Sequence, residues 1–218
     1  ANWKMYGDLS SFKVLKNINL FLKNNKKRYH PKVIACVPTT LINAFSLKLK
    51  NSSIAIGAQN CHAYDGHGPY TGSISSLMLK KLGSKYIILG HSDNRREGET
   101  NKLLKKKLEL SLSQKLKVIF CIGETLNEKN KKKTFIVLKK QLESVLSKKL
   151  NFDNIIFAYE PVWSIGTGKI PKTNELKKVI IFIKKFLRKK FRNADYSKVV
   201  YGGSVNSSNI YAFSSIPF

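Results

Sequence analysis

Asn154-Ile155-Ile156-Phe157-Ala158-Tyr159-Glu160-Pro161-Val162-Trp163-Ser164-Ile165-Gly166-Thr167-Gly168 decides the fold class of this chain. Its first half is a short, almost wholly apolar run rich in β-branched and aromatic residues. That is the signature of a strand covered on both faces, as in a parallel sheet. Its second half begins with a carboxylate and runs into a glycine-containing loop. Working outward, the same kind of run recurs at 32–37, 54–58, 86–89, 117–122 and 198–201. Between these runs lie longer stretches with apolar residues at every third or fourth position. One carries Phe12, Leu15, Ile18 and Leu22; another Phe135, Leu138, Leu142, Val145 and Leu146; a third Leu176, Val179, Ile180, Ile183 and Leu187. Each predicts a helix with one buried face.

Strand and helix alternating in this way give an α/β fold with a parallel sheet. A closed (β/α)8 barrel and an open doubly wound sheet both satisfy the pattern, and periodicity does not separate them. The chain has no Pro/Gly/Ser-rich linker and no break in composition, so residues 1–218 read as a single domain.

In parallel α/β folds, chemistry gathers at the carboxyl ends of the strands. Gly90-His91-Ser92 follows the strand ending at Leu89, Glu160-Pro161 the strand ending at Tyr159, and Gly202-Gly203-Ser204 the strand ending at Tyr201. Asn2 and Lys4 precede the first helix. Taken singly, each has an ordinary structural reading: a core histidine, a strand-end carboxylate, a turn before a helix capped by Ser204, a surface lysine. An acid/base pair and a lysine at the same ends of different strands is the stronger signal. Ser164-Ile165-Gly166-Thr167-Gly168-Lys169 fits neither the nucleotide-binding P-loop nor the dinucleotide fingerprint. It reads as a loop whose backbone N–H groups can hold an anion and which can close over a site. Gly202-Gly203-Ser204, read as a helix N-terminus, is a second anion site. Two anion sites beside an acid/base pair suggest a small phosphorylated substrate.

Lys and Arg number 40 against 13 Asp and Glu, a formal charge of +27. Lysine is scattered over every predicted helix, as in Lys105-Lys106-Lys107 and Lys131-Lys132-Lys133, rather than gathered on one face. Compositional drift therefore accounts for the charge better than a nucleic-acid footprint does. Cys36, Cys61 and Cys121 form no CxxC pair and read as reduced thiols. Cys61-His62 with His67 matches no common zinc spacing, so no metal is expected. No apolar run reaches the roughly 18 residues of a membrane span, and no secretory signal is visible. A cytoplasmic protein is expected.

The motifs taken together resemble those of the triosephosphate isomerase family. The resemblance rests on Ala1-Asn2-Trp3-Lys4-Met5, Gln59-Asn60, Tyr70-Thr71-Gly72-Ser73-Ile74-Ser75, Gly90-His91-Ser92, Tyr159 to Gly168, and Tyr201-Gly202-Gly203-Ser204-Val205, in order along the whole chain. It implies a (β/α)8 TIM barrel that interconverts dihydroxyacetone phosphate and glyceraldehyde 3-phosphate, with no cofactor. It also implies roles. Glu160 is the base; His91 is a neutral imidazole that polarises the carbonyl, kept neutral by a neighbouring helix N-terminus. Lys4 supplies positive charge, Asn2 donates a hydrogen bond, and the backbone N–H groups of Gly166 and Ser204 hold the phosphate. Thr71 reaches the partner subunit's Asn2 and Lys4 region, which implies a homodimer.

This chain departs from the family pattern in three places. The family's His-Ser-Glu-Arg-Arg reads His91-Ser92-Asp93-Asn94-Arg95, and the stretch to Glu99-Thr100 is one residue shorter. Asp93 keeps the supporting carboxylate with a reach one methylene shorter. The first strand is cut to its last residues, and Ile216-Pro217-Phe218 stands before an eighth strand and helix, so the eighth loop's phosphate-binding glycines have no counterpart. The expectation is a piece of a complete enzyme, the complete chain active and the 218-residue piece weakly active or inactive. The competing expectation is a degenerate barrel that binds nucleic acid. It requires loss of His91, Glu160 and Lys4, all of which are present. Another sugar-phosphate barrel enzyme is argued against by the segment from Glu160 to Gly168.

Overall fold

The computed structural model describes residues 1–25, 31–64, 66–191, 193–195, 197–214 and 216. In chain order the elements are α1 (Phe12–Asn24), β1 (Val33–Cys36), α2 (Thr39–Lys48), β2 (Ile54–Ala58), α3 (Ser76–Lys81), β3 (Tyr86–Leu89), α4 (Ser92–Arg96) and α5 (Asn101–Ser113). There follow β4 (Lys117–Ile122), α6 (Leu126–Asn130), α7 (Thr134–Val145), β5 (Ile155–Tyr159), α8 (Thr173–Lys190), β6 (Lys198–Tyr201) and α9 (Ile210–Ser214). The strand order in the sheet is β1-β2-β3-β4-β5-β6. An order that follows the chain without reversal has no switch point. It therefore excludes the doubly wound alternative, in which the order turns back on itself.

The residues cluster in two compact units, Ala1–Leu89 with Glu109–Val118, and Gly90–Leu108 with Ile119–Phe218. In the first, β1 and β2 pair in parallel from Val33↔Ile54 to Cys36↔Gly57, and β2 pairs with β3 at Gly57↔Tyr86 and Ala58↔Ile87. The cut first strand survives as a parallel bridge, Asn2↔Cys36, with Trp3 N–H donating to Cys36 O at 2.9 Å. Phe45 is fully buried there, with the Phe12 ring at 5.4 Å and the Trp3 ring edge-on at 5.9 Å. Every residue of β2 and β3 is buried, which is why those runs show no apolar–polar alternation. Ser75 caps α3 by accepting the Met78 N–H at 3.2 Å.

In the second unit, β5 and β6 pair in parallel from Ile156↔Lys198 to Tyr159↔Tyr201. The stripe of α8 is buried as its periodicity requires: Leu176, Val179, Ile180, Ile183 and Leu187. That of α7 buries Leu138, Leu142 and Val145, while Phe135 stays exposed and packs on the Phe182 ring at 4.7 Å. The reading of 198–201 as a strand buried throughout is corrected: Lys198 and Val200 are exposed and only Val199 is fully buried. As the last strand in the order, β6 is paired with β5 on one side.

A second correction concerns Ser204. It does not cap a helix, because α9 begins only at Ile210. Asn206 governs the intervening turn instead. Its Oδ1 accepts the N–H groups of Ser208 at 3.0 Å and Asn209 at 3.1 Å, while Asn209 Oδ1 accepts the Asn206 N–H at 2.8 Å. A short amide side chain that bonds the backbone two and three residues on starts the turn locally, and so displaces the start of the helix.

Candidate active site

The carboxyl end of β5 delivers Glu160, and the end of β3 delivers His91. Both side chains are buried, and His91 Nε2 lies 3.6 Å from Glu160 Oε1. Glu160 is fixed through its backbone, which donates to Ile122 O at 2.8 Å. Two glycines make room for it. A Cβ on Gly123 would sit 1.7 Å from Glu160 O, and one on Gly202 would sit 2.6 Å from Glu160 Cγ. Here glycine is required by close approach of the backbone and of the carboxylate stem.

His91 is itself the cap of α4. Its Nδ1 accepts the Asp93 N–H at 3.1 Å. A ring nitrogen that accepts carries no proton, so the neutral ring carries its proton on Nε2, the nitrogen that faces Glu160. The carboxylate of Asp93 lies alongside, with Oδ2 3.4 Å from Nδ1 and Oδ1 paired with Arg96. Behind His91, Arg95 Nε donates to Gly90 O at 2.7 Å and Nη1 to Asn101 Oδ1 at 2.9 Å. Burial pulls the Arg95 guanidinium below its ordinary value, and the nearby Glu99 opposes that. Glu99 accepts the Gly90 N–H at 3.2 Å and pairs with the largely buried Lys107.

The loop after Glu160 opens with a 3-10 turn, Val162–Ser164. Gly166 stands in it at φ +70°, in the left-handed region. Ser204 Oγ donates to Ser164 O at 3.3 Å, tying the segment after β6 to this loop. Tyr201 OH and Ser164 Oγ lie 3.1 Å apart. Gly166 and Ser204 thus belong to neighbouring segments of the unit that holds His91 and Glu160.

Asn2 and Lys4 lie in the other unit. Lys4 adopts φ +50°, unusual for a residue with a side chain. Three contacts hold it there: Asn2 Oδ1 accepts the Lys4 N–H at 2.9 Å, and Gln59 Nε2 donates to Lys4 O at 2.8 Å and to Cys36 O at 3.1 Å. An unfavourable backbone conformation so heavily framed is the kind of strain found at functional positions. Thr71 is exposed at a turn closed by the Ser73 N–H to Tyr70 O bond at 3.0 Å, beside the stacked rings of His62, Tyr64 and Tyr70.

Sequence reasoning passed over Glu124, although the rule that found Glu160 reaches it: Gly123-Glu124 directly follows β4. It is buried and accepts from Trp163 Nε1 at 3.0 Å and from Tyr159 OH at 3.1 Å. Burial raises its carboxyl above the ordinary value, and the Trp163 hydrogen bond opposes that. Burial also raises the Tyr159 phenol, with Glu124 adding to the effect. Cys36 is pushed up to about 12 by burial, which keeps it a thiol. Among the described residues no cluster of three or more His, Cys, Asp or Glu could hold a metal ion, and no helix is long and apolar enough to cross a membrane.

The family model described as triosephosphate isomerase matches residues 1–217. The chain is 38% identical to a triosephosphate isomerase of Bartonella tribocorum, over 100% of this chain and 85% of that protein. It is 41% identical to one from the Wolbachia of Brugia malayi, over 99% of this chain and 85% of that protein. Its fold superposes on the crystal structure of triosephosphate isomerase from Bartonella henselae with a TM-score of 0.89 at 34% identity, covering 99% of this chain and 86% of that one. The fold is therefore that of the (β/α)8 TIM barrel, in a chain shorter than a full barrel. With a family match over residues 1–217 and relatives 38% and 41% identical over almost all of it, the chain belongs to the triosephosphate isomerase family.

Proposed function

We propose that this chain interconverts dihydroxyacetone phosphate and D-glyceraldehyde 3-phosphate, and that His91 and Glu160 carry the proton transfers. The observation that carries this reading is the buried pair itself, with His91 Nε2 3.6 Å from Glu160 Oε1. The Glu160 carboxylate removes a proton from the carbon next to the carbonyl, and the electron pair moves onto the carbonyl oxygen. His91 Nε2–H donates to that oxygen as charge develops, which lowers the barrel-bound enediolate in energy. Transfer of a proton between the two oxygens and delivery of a proton from the Glu160 carboxyl, which exchanges with solvent, to the neighbouring carbon complete the isomerisation. Nothing is oxidised or reduced overall, and no cofactor is required.

Backbone N–H groups of Gly166 and Ser204 hold the phosphate, supported by the Ser204–Ser164 hydrogen bond that joins their segments. Closure of the loop 161–170 excludes water from the carboxylate and raises its basicity. Lys4 supplies positive charge to the enediolate and phosphate, and Asn2 donates to a substrate oxygen. The left-handed backbone of Lys4, framed by Asn2 and Gln59, supports this. Asp93 is a supporting residue beside His91. The chain acts as a homodimer in which Thr71 is the reaching residue, in the cytoplasm, in glycolysis and gluconeogenesis. The test is turnover of glyceraldehyde 3-phosphate by the 218-residue chain and by one extended at both ends, each with and without Glu160→Gln. Activity that collapses in the variant supports the reading; absence of turnover in every chain overturns it.

A further inference from the structure

The loop that follows Glu160 is anchored at its two ends by different elements. At its entry, Trp163 donates its indole Nε1 to Glu124 Oε1 at 3.0 Å, and Val162 N–H donates to Glu124 O at 3.0 Å. At its exit the chain enters α8, whose first turn carries Glu175. Lys129, on α6, reaches both. Its Nζ lies 3.5 Å from the centroid of the Trp163 ring and 3.2 Å from Glu175 Oε2. The backbone beneath it is held by the reciprocal cap of Thr125 and Glu128.

We infer that Lys129 is a positioning residue for this loop: a single ammonium group that joins the Trp163 face at its entry to Glu175 at its exit. The role deepens the isomerase reading and rests on it. Lys129 touches neither His91 nor Glu160 in any contact described above; it acts through Trp163, three residues after Glu160. An exposed ion pair by itself adds little, and Glu175 is half exposed. The cation over an indole face adds an attraction that salt screens less once the ring is covered. The ammonium's three donors let it serve both partners together, which neither a neutral stem nor one contact alone reproduces. Loss of either partner frees one end of the loop from the other.

Trypsin reads this loop directly, because Lys169 lies inside it and is followed by Ile170. The initial rate of cleavage after Lys169 is measured by mass spectrometry on the folded protein, beside kcat and KM. Lys129→Met is expected to speed cleavage by about fivefold and to lower kcat/KM by a comparable factor, whereas Lys129→Arg stays within about twofold on both. Glu175→Gln gives a smaller change, and the double variant Lys129→Met/Glu175→Gln is no faster than Lys129→Met alone, because the two residues act through one contact. Equal cleavage rates in the wild-type, Met and Arg chains, or strict additivity of the two substitutions, overturn the proposal. If cleavage responds as expected while no chain, the wild type extended at both ends included, turns over triose phosphate, the isomerase reading has failed. The role in the reaction then falls with it, and only the tie between the loop ends stands.

Discussion

Trp163 and Glu124 meet through a single hydrogen bond, indole Nε1 to carboxylate Oε1 at 3.0 Å, which fastens the loop after the base to the end of the neighbouring strand. The acceptor is buried and also receives the Tyr159 hydroxyl, so its charge is offset by two donors inside the fold. Removing the carboxylate leaves the buried Tyr159 hydroxyl and the part-buried Trp163 indole without their partner.

The pH dependence of that carboxylate has a definite sign. Burial raises its pKa above the ordinary 4.5, so the folded chain binds this proton more tightly than the unfolded chain does. Its contribution to stability therefore falls as pH rises from the ordinary value through the raised one. Glu124→Gln removes this titration. Melting temperatures of the two chains, compared between about pH 4 and pH 7, are expected to show the wild type losing ground to the variant as pH rises. Parallel profiles contradict the assignment.

Gly123→Ala is expected to abolish the native fold. The added carbon would lie 1.7 Å from Glu160 O, a backbone atom of the residue whose N–H is bonded to Ile122 O. Neither strand end can give way by that much, so the cost exceeds about 4 kcal/mol. Circular dichroism and soluble yield check it; a well-folded alanine variant refutes the geometry at the β4–β5 junction.

Breaking the Glu99–Lys107 pair has a cost in stability. Both side chains are largely buried, and Glu99 also accepts the Gly90 N–H that precedes His91. Lys107→Met removes the ion-pair partner of the buried carboxylate and leaves the nearby Arg95 as its counter-charge, at an expected cost of up to about 3 kcal/mol in denaturant unfolding. A change below about 1 kcal/mol places the pair among those that contribute little.

The charge of +27 has a kinetic corollary. A strongly cationic surface steers a dianionic substrate, and salt screens that attraction over about 10 Å at 0.1 M. kcat/KM is expected to fall severalfold between about 0.01 and 0.15 M ionic strength with kcat little changed. A flat profile means the charge is idle in catalysis.

Most of the sheet was legible because its strands are buried on both faces, so unbroken apolar runs such as Tyr86–Leu89 have no other reading. The barrel-versus-open-sheet question was not, since it depends on which strands pair. The burial of β6 was misread for the same reason: Val200 looks like core and is exposed. Ser204 reads as a helix cap because serine before a helix usually is one, and the competing Asn206 turn starts only two residues later. His91 and Glu160 stand out in the sequence because strand-end position and residue type coincide in them, and the fold buries the two side chains together. Lys129 carried no such mark. Among so many lysines, its place over Trp163 and beside Glu175 is set by packing between α6, the loop and α8, which a linear pattern does not record.

On the proposed reading, Glu160 moves the proton while His91 polarises the oxygen. Deuterium uptake at carbon measures that step directly. In D2O, the active wild-type chain is expected to place deuterium from solvent on the carbon next to the carbonyl, read by proton NMR of the triose phosphates. Glu160→Gln is expected to slow this uptake by about 10³-fold or more, and His91→Asn by about 10²-fold, each with an unchanged fold. Uptake at the wild-type rate in Glu160→Gln would assign the proton transfer to another group and contradict the account.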